Sequence, residues 1–234
     1  MTWRASFFAF IRRALLGAAA GGIAGMLVGG IGGRLAMLLL RFTSPGSVRG
    51  TLTDDEFEIG VVTFDTLNLV ATTWALGAIA GLFVALALRF MPGRWAVWAW
   101  AAPGATLGGA GLIHGDGVDF TVLEPAWLAV LLFIVIPAAG LVLTAALVRS
   151  WERWWWVNRR RTLLVVVAAA PVAALFPVGL AVIALGAAYA LVARNPLAEE
   201  FANSAPVRRA AVAVFSLVTI GFAPVLAADV AAVL

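Results

Sequence analysis

Long, unbroken runs of apolar residues alternate along this chain with short segments that carry nearly all of its charge. Six apolar blocks stand out, near 14–40, 62–88, 95–113, 126–148, 162–193 and 210–232. Each is long enough, or nearly so, to cross the roughly 30 Å hydrocarbon layer of a membrane as a helix. Backbone in that layer has to satisfy its own hydrogen bonds, which leaves helices or a closed barrel. The blocks lack the strict alternation of barrel strands. The pattern therefore predicts an all-α polytopic transmembrane helical bundle, about six helices arranged as successive hairpins in a single transmembrane domain over 1–234. The first block follows Arg12 and Arg13 as in a signal peptide, but its apolar run is too long for one.

The fifth block is the irregular one. Straight, it would measure about 48 Å, and it contains Pro171 and Pro177. One kinked, tilted helix is the expectation. The alternative is a pair of half-helices of about 22–24 Å that dip in and return. Arg194, Arg208 and Arg209 follow the block and favour that alternative, because arginine in short loops stays on the cytoplasmic side.

Composition sharpens this picture. The chain is 63% hydrophobic and only 12% charged, with a mean hydropathy of +1.03, against about 25% charge in an ordinary soluble domain. All 16 basic residues are arginine. In such a chain the basic excess orients helices rather than binding nucleic acid. Arg4, Arg12 and Arg13 precede the first block, Arg89 and Arg94 follow the second, and Arg149, Arg153, Arg159, Arg160 and Arg161 follow the fourth. The segment after the third carries only acids, Asp116, Asp119 and Glu124. The expected arrangement is multi-pass in the cytoplasmic (cell) membrane, with the N-terminus cytoplasmic. With no cysteine, disulfides, thiolate metal sites and cysteine nucleophiles are excluded.

The clearest local signal is a glycine zipper. Gly17, Gly21, Gly25, Gly29 and Gly33 recur at every fourth residue of the first block, joined by Gly77 and Gly81 in the second and Gly104 and Gly108 in the third. Residues four apart share a helix face, and glycine there lets another backbone approach closely. Tight packing among the first three helices is the expectation; a subunit interface or a pore lined by small residues is the alternative. Arg13 and Arg34 are about 31 Å apart along one helix, so they mark opposite membrane boundaries. Asp65 begins the second helix on Arg34's side, and an Arg34–Asp65 pair would offset the cost of two polar groups near hydrocarbon.

Other polar features have ordinary explanations beside sharper ones. Thr53 and Glu56 make a capping box that predicts a helix start near Asp54. His114, Asp116 and Asp119 carry the right donor atoms for a divalent cation, although Gly115-Asp116-Gly117 is also ordinary turn chemistry. The tryptophans at 95–100 and 151–156 suit an interfacial belt. With Arg149, Arg153, Arg159, Arg160 and Arg161 they would suit anionic lipid heads.

Three stretches carry a resemblance: Gly32-Gly33-Arg34-Leu35-Ala36-Met37, Ser47-Val48-Arg49-Gly50-Thr51-Leu52-Thr53-Asp54-Asp55, and Asp116-Gly117-Val118-Asp119-Phe120 with Leu123-Glu124-Pro125. Over roughly the first 160 residues the chain resembles uncharacterised polytopic membrane proteins of actinobacteria. The resemblance implies a membrane location and no activity. No P-loop, dinucleotide fingerprint, HExxH or GxSxG motif is present, and nothing calls for a cofactor. The expected function is non-enzymatic: a subunit or scaffold of a larger membrane complex or homo-oligomer, or a small transporter or channel. The competing expectation is a membrane-embedded enzyme acting at the outer face with a metal near His114, Asp116 and Asp119.

Overall fold

The computed structural model describes residues 3–48, 50–53, 58–59, 61, 64–91, 93, 95–155, 176–192, 200–201 and 204–234. It is helical, with no strands among the described residues. The first block is one rod. Helix α1 (Trp3–Ala24) runs through a π-helical segment, Gly25–Gly32, into α2 (Gly33–Thr43) without a break. Helix α3 (Asp65–Ala87) returns beside it. Next comes a broken path of α4 (Trp95–Trp98), α5 (Ala101–Pro103), a second π-helical segment, Gly104–Gly108, and α6 (Gly109–Leu112). One-turn α7 (Val118–Thr121) leads to α8 (Ala126–Trp155); α9 (Phe176–Val192) and α10 (Ala205–Val233) complete the chain.

Four stretches are long and apolar enough to cross a membrane: Ala5–Thr43, Thr66–Phe90, Ala126–Glu152 and Ala205–Val233. The protein is an integral membrane protein by this criterion, but the six expected spans reduce to four uninterrupted ones among the described residues. The third block differs for a local reason. Pro103, Gly104, Gly108, Gly109 and Gly111 crowd into it, and each glycine inside a helix costs about 1 kcal/mol relative to alanine. The path still runs end to end, since Ala96 and Trp100 join the core at one end and Ile113 the core at the other.

Those two cores define the two ends of the bundle. At the arginine-rich end, Ala14, Leu16 and Ala18–Ala20 pack with Ala78, Leu82, Val84, Ala85, Leu88, Met91, Trp100, Ala145 and Val148. At the far end, Leu40, Val48, Ile59, Ile113, Phe120, Leu123, Ala129 and Val130 pack together. Polar ties secure the arginine-rich end. Arg13 pairs with Glu152 at 2.9 Å. Arg89 Nη1 donates to the Tyr189 hydroxyl at 2.7 Å. Arg149 donates through Nη2 to the Met91 carbonyl at 2.6 Å and through Nη1 to the Gly93 carbonyl. Gly93 closes that turn at φ +91°, a conformation that favours glycine. Arg149 thus serves the fold; Arg159, Arg160 and Arg161 and the Arg153 side chain lie outside the described residues.

The start of α10 lies at this same end, where Ala205, Arg208 and Arg209 share a pocket with Phe90. Its other end lies at the far end, where Leu226 faces Gly109 and Ala232 faces Gly115. One kinked crossing by 162–193 would have put Ala205 opposite Trp155; the structure puts both at the arginine-rich end. Residues 162–175 lie outside the described residues, and α9 packs its Gly186 and Tyr189 against Phe10 of α1. The helix expected to start at Asp54 falls on residues 54–57, also outside them; Leu52 forms an isolated antiparallel bridge with Glu58.

Candidate functional site

The site begins with the glycine contact between α1 and α3. A Cβ added at Gly17 would lie 2.5 Å from Ala85 Cβ, one at Gly21 2.7 Å from Gly81 Cα, and one at Gly25 3.0 Å from Gly77 Cα. The reciprocal positions are as tight: Gly77 would meet Gly25 Cα at 2.8 Å, and Gly81 would meet Gly21 Cα at 2.9 Å. Only glycine fits between backbones this close.

The contact loosens toward the far end. At Gly29 an added Cβ would lie 3.2 Å from the Thr73 side chain, and at Gly33 it would meet nothing within 4 Å. Gly33 is therefore not a packing residue, contrary to the four-residue pattern. The π-helical Gly25–Gly32 explains the difference: its wider turn rotates the following residues off the face that a period of 3.6 would keep. Gly104 and Gly108 differ too. They pack not on the first two helices but on α8: a Cβ added at Gly104 would lie 2.6 Å from Ala138 Cα, and one at Gly108 2.6 Å from Pro137 Cγ.

Where the glycine contact opens, a cavity of about 170 Å³ lies between the two cores. Gly29, Gly33, Arg34, Thr53, Thr73 and Asp119 line it, with Ala36, Met37, Leu69, Leu112, Phe133 and Ile136 forming the apolar wall. Thr73 is about 12 Å along α3 from its start, so the cavity reaches well into the bundle.

Helix α2 turns Arg34 inward. Arg34 is 8% exposed, while Leu35 is 61% and Phe42 78% exposed. This inversion of a soluble helix suits a rod whose outer surface meets lipid. Asp119, in α7, is 7% exposed on the same cavity, and Thr53 is 8% exposed. Neither Arg34 nor Asp119 is isolated. Thr73 Oγ1 donates to the Leu69 carbonyl at 2.9 Å, satisfying its proton within its own helix. The loops that roof the far end are tied together: Thr43 Oγ1 donates to the Glu124 carbonyl at 2.7 Å, and Ser44 Oγ accepts from the Glu124 N–H at 2.8 Å.

Sequence reasoning put Arg34 and Asp119 in separate roles, and the structure places them on one cavity. The Asp65 side chain, expected beside Arg34, lies outside the described residues. The expected metal trio does not converge. His114 and Asp116 are exposed in a turn and Asp119 is buried. Among the described residues no three of His, Cys, Asp and Glu stand close enough to hold an ion. Comparison with protein-family models, with curated proteins and with solved structures finds no match to this chain.

Proposed function

We propose that this protein is a small membrane transporter or solute-binding protein whose site is the cavity between α2, α3, α7 and α8. The observation that carries this reading is the burial of Arg34 and Asp119 on one cavity inside an apolar bundle. Ionisable side chains turned into the interior of a membrane bundle are costly to bury, and they commonly line substrate or ion paths. A positive and a negative group over an apolar wall of Met37, Leu69 and Phe133 suit a small solute with both charged and apolar parts. Two π-helical segments beside the bundle's centre add support, because such distortions concentrate at functional sites. The arginine pattern puts the N-terminus in the cytoplasm and opens the cavity's end of the bundle to the outside.

The test uses the absence of native cysteine. In the intact membrane, Gly33→Cys should react with a small charged methanethiosulfonate added from outside, and Gly21→Cys should not. If Asp116→Cys in the neighbouring turn reacts while Gly33→Cys stays unmodified, the cavity is closed to polar solutes and the reading fails. A second reading, a subunit of a membrane assembly, draws on α10, which exposes Leu217, Ile220 and Phe222 along its length.

A further inference from the structure

A second pocket lies at the arginine-rich end, between the end of the second span and the first turns of α10. It measures about 550 Å³ and is lined by Phe90, Ala205, Arg208, Arg209, Val212 and Ala213. On α10 these residues are spaced three or four apart, so they share one helix face. The wall itself is almost wholly apolar, so the arginines border it through their aliphatic stems, and Val212 and Ala213 follow one turn deeper. Both arginines are exposed, and among the described residues no acid lines the pocket. The neighbouring arginines are spent on the protein itself, Arg13 on Glu152, Arg89 on Tyr189 and Arg149 on the Met91 carbonyl. Among the described residues, neither Arg208 nor Arg209 has such a side-chain partner. The backbone N–H groups of the first turn of α10 add their partial positive charge at the same level.

We propose that this pocket holds an anionic phospholipid of the leaflet facing the arginine-rich end. Its phosphate sits between Arg208, Arg209 and the start of α10, and an acyl chain runs along Phe90, Val212 and Ala213. Charge and apolarity are ordered along the membrane normal as they are in the lipid. A soluble anion would use the arginines and leave the apolar half empty; a zwitterionic lipid would fill the groove without the net attraction. The site is separate from the cavity at Arg34 and Asp119, and it stands or falls independently of it.

The test is lipid binding to the purified full-length protein in detergent, followed by native mass spectrometry and by the melting midpoint. Phosphatidylglycerol should bind and raise the midpoint, and phosphatidylcholine should do neither. Arg208→Gln/Arg209→Gln should weaken phosphatidylglycerol binding about thirtyfold, from the usual attraction of two surface arginines for an anionic leaflet. Ala213→Phe keeps both charges and fills the apolar half, and it should weaken binding as well. Equal binding of the two lipids would overturn the proposal, as would either variant retaining wild-type affinity for phosphatidylglycerol. The two variants fail for different reasons, so misfolding of one cannot stand in for the result of the other.

Discussion

Gly21→Ala and Gly33→Ala are the same chemical change, twelve residues apart in one continuous helix, and the structure gives them opposite signs. At Gly21 the new methyl would lie 2.7 Å from Gly81 Cα and closer still to the Gly77 carbonyl oxygen, where ordinary contact is 3.4–4 Å. Both obstacles are backbone, so no rotamer relieves them, and α1 and α3 must part by about 1 Å. A gap of that size forfeits about a quarter to a half of each dispersion contact along the seam. Overpacking costs about 1–3 kcal/mol, and two backbone collisions put this site near the upper figure. The better helix propensity of alanine returns about 1 kcal/mol. The net expectation for Gly21→Ala is a loss of about 2 kcal/mol. At Gly33 an added Cβ meets nothing within 4 Å, so only the propensity gain remains, about 1 kcal/mol of stabilisation. Thermal unfolding of both variants in the same detergent measures the difference. If Gly21→Ala melts at or above wild type, or if Gly33→Ala falls as far as Gly21→Ala, the close seam and its opening at the π-helical segment are both wrong.

Three further outcomes follow from the same geometry. Arg149→Ala removes the two donors that hold the Met91 and Gly93 carbonyls, and it should lower stability by about 1.5 kcal/mol; Arg149→Lys should recover only part, because one ammonium cannot span both acceptors as a guanidinium fork does. Chelator should leave the melting midpoint unchanged, and so should added calcium or zinc; a chelator-induced loss that disappears in Asp116→Asn would revive the metal reading of the 114–119 turn. Single cysteines at Asp116 and at Ala232 should be labelled from the same side of the membrane, because Ala232 packs on Gly115; labelling from opposite sides would refute the path of α10.

The zipper and most of the spans were legible because their signals are local. A period of four along a helix marks a face wherever that helix sits, and Gly17, Gly21 and Gly25 meet Gly77 and Gly81 as that period requires. Gly33 obeys the same period and does not pack, because the period presumes an unbroken α-helix and Gly25–Gly32 is π-helical. Nothing in the composition of that stretch distinguishes the two. Arg34 was legible as a costly group near hydrocarbon, but its surroundings were not. Sequence nearness pointed to Asp65, whose side chain lies outside the described residues; Asp119, which lines the cavity, reaches it only after two further passes and one turn of helix. Asp119 itself was read with His114 and Asp116 because the three are close in sequence; the one-turn helix α7 then turns Asp119 inward while the other two remain in the exposed turn.

The direction of α10 shows how geometry and charge constrain each other where neither is decisive alone. Four end-to-end passes, made by α1–α2, α3, the 95–112 path and α8, leave the chain at the arginine-rich end, where Glu152 pairs with Arg13. The chain next enters a described pass at Ala205, beside Phe90, at that same end. Whatever path joins Trp155 to Ala205 must therefore return to the end it left. Helix α9 supplies the returning limb, for Val182 packs against the core of that end and Tyr189 stacks on Phe10 still closer to it. This path brings Arg208 and Arg209 to the end that holds Arg13, Arg89 and Arg149, the clustering that the positive-inside rule favours. A single crossing would instead have placed two arginine clusters on opposite sides of the membrane. Pro177 needs no kinked span to explain it: it is the second residue of α9, in the first turn, where a missing N–H costs no intrahelical hydrogen bond.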